Sequence, residues 1–171
     1  AGMVLRPDVM DAALASVDQV PGRRIYLSPR GKSFDQSVAE SLVEDPGVVL
    51  ICGRFEGLDQ RLIDARNLEE ISLGDYVLSG GEIAGLAVLD ACVRLLPGVL
   101  GSEEGLEEES FKKGLLEYPL YTQPREWKGK TVPEVLLSGH HGDIKTWQRE
   151  QAEMVTRDRR PDLWARYLKN S

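Results

Sequence analysis

The amino-acid sequence predicts an α/β fold built on a parallel sheet, and three observations predict it. Short apolar runs rich in β-branched residues, VVLIC at 48–52 above all, alternate with segments of helical periodicity. A strand that is apolar at every position is expected to be covered on both faces, as parallel strands are. Each run leads into a glycine-containing stretch: SPRG at 28–31, GRFEG at 53–57 and LGDYVLSGG at 73–81. Open parallel sheets bind ligands outside the carboxyl ends of their strands, where these stretches fall.

Taken in order, Pro7-Asp8 opens a helix with Val9, Ala12, Ala13, Ser16 and Val17 on one side, and Pro21-Gly22 stops it. RIYLS at 24–28 reads as a short strand. Ser33 or Asp35 caps a helix that runs to about Glu44 on a stripe of Val38, Leu42 and Val43, before Pro46-Gly47 breaks it. After the strand at 48–52 come a helix near 58–66, a strand near 69–73, and the apolar helix IAGLAVLDACVRLL at 83–96, ended by Pro97-Gly98. Residues 1–100 thus form one α/β domain. The acidic, glycine-containing stretch GSEEGLEEES at 101–110 reads as a linker. Residues 111–171 read as a small α-helical domain: Pro119, Pro124 and Pro133, then helices near 142–156 and 161–169 carrying Trp147, Met154, Leu163, Trp164 and Tyr167.

Hydrophobic residues make up 42% of the 171 and charged residues 29%, as in an ordinary globular protein. No apolar run approaches the roughly 20 residues of a membrane span, and no signal-peptide pattern opens the chain. A soluble, cytoplasmic protein with no membrane partner is expected. Cys52 and Cys92 sit far apart in apolar settings and read as core thiols, while the adjacent His140 and His141 lack the i, i+4 spacing of a helical metal pair. The net charge of -7 is unevenly distributed. Residues 1–39 carry +1, residues 40–110 carry -12, and residues 111–171 carry +4, with twelve basic against eight acidic groups. That basic third suits a polyanion, or a pair of solvated helices.

Neither G-x-G-x-x-G nor G-x-x-x-x-G-K-[ST] occurs, which disfavours a dinucleotide-binding or P-loop enzyme. Glycines at 53, 57, 74, 80 and 81 offer close approach of main-chain N–H and C=O groups to a ligand, or simply tight turns.

Six blocks in order carry a resemblance: YLSPRGK at 26–32, ICGRFEGLDQR at 51–61, ISLGDYVLSGGE at 71–82, RLLPGVLG at 94–101, ESFKKGLLEYPLYTQP at 109–124 and VPEVLLSGHH at 132–141. Through them the chain resembles, over nearly its whole length, the bacterial tRNA (guanine-N1)-methyltransferases of the SPOUT class. The resemblance implies a parallel sheet with a deep trefoil knot, a rare exception to general folding rules. It also implies S-adenosylmethionine as methyl donor, tRNA as substrate and a homodimer. The donor would be surrounded by Tyr26, Leu27, Ser28 and Pro29, by Gly53, and by Leu73, Gly74, Tyr76, Leu78, Gly80 and Gly81, with Glu56 by its methionine end. Bulk at Gly81, as in Gly81→Val, is then expected to fill space the ligand needs.

The implied reaction methylates N1 of the guanosine 3′ of the anticodon. N1 carries a proton at neutral pH, so attack requires a general base and a group that stabilises charge developing on O6. Arg94 matches the family's catalytic arginine; it also suits a helix C-terminal cation. The family's aspartate before Ser-Phe is Glu109 here, which keeps the carboxylate and adds one methylene. Mg²⁺ is implied too, with Glu56, Glu109 and Glu117 as the carboxylates to hold it. Three further departures stand out: Ala84 replaces a usual proline, and Leu120 and Gln123 replace a histidine and an arginine in the family's PHYTRP. In the family AGMV follows a glycine-rich stretch and roughly fifty further residues, so the N-terminal strand and helix of the sheet are expected to be missing. The competing reading is a non-catalytic relative that binds tRNA or a nucleotide.

Overall fold

The structure is a computed structural model and describes residues 2–100, 109–111 and 113–170. It divides into two compact units, Ala1–Gly101 and Ser102–Ser171. Of the predicted linker, residues 101–108 lie outside the described residues.

The first unit is α/β. Its elements are α1 (Pro7–Ala15), β1 (Arg23–Ser33), α2 (Gln36–Glu44), β2 (Val48–Cys52), α3 (Gln60–Ala65), β3 (Glu69–Ser72) and α4 (Glu82–Val93). The three strands form a parallel sheet in the order β2-β1-β3. Strand β1 therefore lies at the centre, and its period-2 alternation feeds two cores. Tyr26 joins Leu14, Ile51, Leu58, Leu62, Ile63 and Leu68 on the side of α1 and α3. Ile25 and Leu27 join Leu42, Ile71, Ala84 and Val88 on the side of α2 and α4. Ile25 is fully buried, and burial of such a side chain stabilises by about 1.5–3 kcal/mol.

Local chemistry explains most boundaries. Asp35, rather than Ser33, caps α2 by accepting the Val38 amide at 3.1 Å, and Asp59 caps α3 by accepting the Arg61 amide at 2.9 Å. Two expectations change. In α1 the face turned inward carries Leu14 and Met10, not Val9, Ala12 and Ala13, because Leu14 and Met10 pack against the core that α3 shares. In β2 only Ile51 is buried, since this strand stands at the sheet edge.

Strand β1 is also longer than the expected 24–28, and it is interrupted. Leu27 and Lys32 both face Ile71 of β3, so Ser28 to Gly31 loop out of the ladder between them. A side chain on Gly31 would collide with the backbone of Glu70 and Ile71, so glycine lets the chain return to the sheet.

The second unit begins, among described residues, with a turn at 109–117. Phe111 donates its amide to the Leu115 carbonyl at 2.7 Å, and the Ser110 hydroxyl accepts the Glu117 amide at 3.0 Å. A two-stranded antiparallel ribbon, β4 (Glu126–Trp127) and β5 (Lys130–Thr131), precedes a 3₁₀ turn at Glu134–Leu137. Then come α5 (His141–Arg159) and α6 (Pro161–Asn170), each longer than expected at one end or more. Thr156 fastens the turn to α5: fully buried, its hydroxyl donates to the Ala152 carbonyl at 2.7 Å and accepts the Leu116 amide at 2.8 Å.

Candidate active site

The carboxyl ends of β1, β2 and β3 open into a cavity of about 370 Å³. It falls where the strand order reverses around β1, the position that open α/β sheets use for ligands, and within the usual range of about 300–1,000 Å³. The residues foreseen around a donor, Tyr26 to Pro29, Gly53, Glu56, Leu73, Gly74, Tyr76, Leu78, Gly80 and Gly81, all line it. Sequence reasoning left out Arg30, Arg54, Phe55, Val77 and Ala84, which line it as well. Phe55, Tyr76 and Val77 are exposed at its rim.

Two of the three loops are stitched together. Gly81 donates its amide to the Gly53 carbonyl at 2.8 Å, and Arg54 pairs with Gly80 in an isolated antiparallel bridge. The Arg54 guanidinium adds a bond to Glu82 at 2.8 Å and one to the Ser79 carbonyl at 3.4 Å. Within the third loop, Ser72 accepts the Gly74 amide at 3.2 Å and donates to the Gly74 carbonyl at 3.1 Å. In the first, the Arg30 amide donates to the Ser28 hydroxyl at 3.2 Å.

Tyr26 supports the second loop from beneath. Its buried ring lies where a side chain on Gly53 would go, and its hydroxyl accepts the Leu58 amide at 3.3 Å. Gly57, at φ 100°, sits against the same hydroxyl, while Phe55 holds the left-handed conformation at φ 59°, an uncommon one for a bulky side chain. From above, Met3 and Leu5 cross the loop: the Glu56 amide donates to the Met3 carbonyl and the Leu5 amide to the Gly57 carbonyl, both at 2.9 Å. A side chain on Gly2 would displace the Glu56 carboxylate.

Cys52 lies at the end of β2, beneath this site. Burial, and secondarily the Glu82 charge, push its thiol pKa up, and burial does the same for Cys92. Both behave as packed thiols with suppressed nucleophilicity.

The two expected catalytic residues fall in different units. Arg94 caps the far end of α4, whose first turn borders the cavity. Twelve helical residues separate the two ends by about 18 Å. Glu109 stands in the other unit, half-buried and adjacent to Ser110, whose hydroxyl holds the Glu117 amide. Glu56 belongs to the first unit and Glu117 to the second, and among the described residues no three His, Cys, Asp or Glu side chains gather as metal ligands.

Comparison with known proteins adds a family. The family model described as tRNA (Guanine-1)-methyltransferase TrmD matches residues 1–166. A protein of Rhodospirillum rubrum named tRNA (guanine-N(1)-)-methyltransferase is 58% identical over 168 residues, covering 98% of this chain and 70% of that protein. Proteins of the same name from Rhodopseudomonas palustris strain HaA2 and Ruegeria pomeroyi are 59% and 56% identical, covering 96% and 98% of this chain and 66% and 70% of their own lengths. Matched along nearly all its residues, with the site-bearing loops inside the match, the chain belongs to the tRNA (guanine-1)-methyltransferase family.

Proposed function

We propose that this protein transfers a methyl group from S-adenosylmethionine to N1 of the guanosine 3′ of the anticodon in tRNA. The observation that carries the reading is the cavity at the strand ends, walled by the main chain of three loops, in a chain of this family. Bound there, S-adenosylmethionine supplies an electrophilic methyl carbon. The residues present fit it: Gly53, Gly74, Gly80 and Gly81 bring N–H and C=O groups to the wall, and an adenine edge is readable by such groups alone. The exposed carboxylate of Glu56 suits an ammonium group.

Glu109 accepts the N1 proton of guanine, and the Arg94 guanidinium stabilises the negative charge that develops on O6. The length of α4 supports a site completed by a second copy of the chain. So does the outer face of α4, where Ile83 is 64% and Leu86 62% exposed beside Leu89 and Val93. A helix that is apolar all round belongs in an interior, and a homodimer supplies one. The family resemblance further implies a trefoil knot at these strands, a donor-binding first domain, a tRNA-binding helical domain and a cytoplasmic enzyme. Among the described residues no helix is long and apolar enough to cross a membrane.

Incubation of the protein with methyl-labelled S-adenosylmethionine and a tRNA transcript bearing that guanosine tests the reading. Nucleoside digestion should give 1-methylguanosine, and replacement of the guanosine by adenosine should abolish it. Donor and tRNA binding without transfer would instead establish a non-catalytic binding protein.

A further inference from the structure

The ribbon β4–β5 carries a feature that the reaction has not absorbed. Glu126 pairs with Thr131 and Trp127 with Lys130, and the Val132 amide extends the ladder to the Arg125 carbonyl at 2.9 Å. Lys128 and Gly129 make the two-residue turn at φ 51° and 73°, the positive pair a type I′ hairpin demands. Directly paired residues share a face, so Trp127 and Lys130 project together, while Glu126 and Thr131 lie on the opposite one. Those two line a separate, open cavity with Val135, Ser138 and Asp143.

Trp127 is 61% exposed, although tryptophan is one of the most heavily buried residues on average. Its only described ring contact is with Lys128, whose Nζ lies 4.8 Å from the ring centroid. That cation lies over one face of a side chain that stays largely exposed. Within residues 125–131 stand Arg125, Lys128 and Lys130 against one carboxylate, Glu126, in the third of the chain whose net charge is +4; Glu134 and Asp143 line the cavity on the opposite face. An exposed aromatic plane among cations, on a tight turn, has the composition of surfaces that stack an unpaired base and hold its phosphates.

We propose that the 125–131 hairpin is an RNA contact in which Trp127 stacks on an unpaired base and Lys128 and Lys130 bind the adjoining phosphates; this rests on the reading of the protein as a tRNA methyltransferase. The stack presents a π-face and no hydrogen-bond donor pattern, so it accepts any base. It recognises that the strand is unpaired, not which nucleotide it carries.

Equilibrium binding of a tRNA anticodon stem-loop and of a fully paired duplex of equal length, at fixed salt, tests this on the full-length protein. Trp127→Phe keeps an aromatic plane and should bind the stem-loop within about threefold of wild type. Trp127→Leu keeps apolar bulk only. It should lose about tenfold or more in stem-loop affinity and with it the preference over duplex, while S-adenosylmethionine affinity and sedimentation stay unchanged. Lys128→Gln and Lys130→Gln should each lower the slope of log K against log salt by about one. Full stem-loop affinity in Trp127→Leu, with wild type binding normally, overturns the stack and leaves the methyltransferase reading intact. Dissociation of Trp127→Leu into smaller species would assign the ring to a contact between copies. A wild-type protein that binds no tRNA at all would remove the methyltransferase reading, and this contact with it.

Discussion

The amide of Gly81 and the carbonyl of Gly53 meet at 2.8 Å, and through that one bond the loop after β3 is fastened to the loop after β2. The contact leaves no room for a side chain: a Cβ on Gly81 would stand 2.8 Å from the Cys52 Cα and 3.0 Å from the Gly53 nitrogen. Bulk at 81 therefore acts on the loops before it acts on any ligand, which corrects the expectation drawn from the sequence. The backbone conformation of Gly81, φ -80° and ψ -6°, is open to any residue, so the contact alone makes glycine necessary. Gly81→Ala should lower the melting temperature by about 2–8 °C, the scale of mild overpacking, and weaken S-adenosylmethionine binding tenfold or more. Thermal melts and titration calorimetry read both. Full donor affinity in Gly81→Ala would show that the stitch does not shape the site.

Arg54 and Glu82 close the same pair of loops from outside, with side chains 54% and 50% exposed. Exposed pairs contribute about 0–1 kcal/mol, so Glu82→Gln should leave thermal stability nearly unchanged. Donor affinity should fall severalfold as the third loop loosens. The exchange Arg54→Glu with Glu82→Arg should recover part of it at low salt and lose the recovery near 1 M, where charges are screened within about 3 Å. Equal affinity for all variants at low salt would deny the pair any part in shaping the cavity.

Removing only the Tyr26 hydroxyl tests the support beneath the second loop. Tyr26→Phe leaves the buried Leu58 amide without its acceptor, a loss of about 1–3 kcal/mol. The urea midpoint should drop accordingly with an unchanged slope. An unaltered midpoint would mean that the amide finds another partner.

For proton removal, Glu109→Gln should lower the single-turnover methylation rate about 10²-fold or more while donor affinity holds. Glu109→Asp restores the residue usual in the family and should keep or raise the rate. Glu108→Gln is the register control, carrying the same charge one position earlier. Slowing in that variant alone would move the base to Glu108.

Asp59 gives a pH signature at the start of α3. The hydrogen bond from the Arg61 side chain, then that from the Arg61 amide, holds its carboxyl at about 2 against an ordinary 3.8. A depressed folded-state pKa contributes stability that is present above about pH 4 and lost as pH falls toward 2. Asp59→Asn should flatten the fall in urea midpoint across that window and leave its pH dependence above pH 5 alone. An unchanged acid profile would show that the cap does not persist in solution.

Much of this was legible because the signals were local. The run 48–52, the Pro-Gly stops and the cap at Asp35 are short-range chemistry, and most strands and helices of the first unit follow from such signals, whereas the cap at Asp59 was not read. The loops were legible through their glycines, which the sequence motif displays directly. What escaped reading depends on partners far apart in sequence. The buried face of α1 is chosen by packing of Leu14 with Leu62 and Ile63, not by its own periodicity. The return of β1 at Gly31 depends on the backbone of Glu70 and Ile71. The hairpin was missed because its strands are two residues each, although Lys128-Gly129 is a turn signal between them. Arg94 and Glu109 came from resemblance alone, and no spacing rule links them to the loops.

The wall of the cavity carries a consequence for escape from inhibition. At Gly53, Gly57 and Gly81 the space for a Cβ is already taken by packed protein: the buried Tyr26 side chain at the first two and the backbone of Cys52 and Gly53 at the last. A competitor that reads main-chain groups at these three positions meets a surface that point substitution cannot redraw without disturbing the loops. Substitutions that weaken it are then expected among the exposed lining side chains, Arg54, Phe55, Glu56, Tyr76, Val77 and Leu78. An inhibitor that avoids those side chains and holds to the closed main chain leaves the fewest single-step routes of escape.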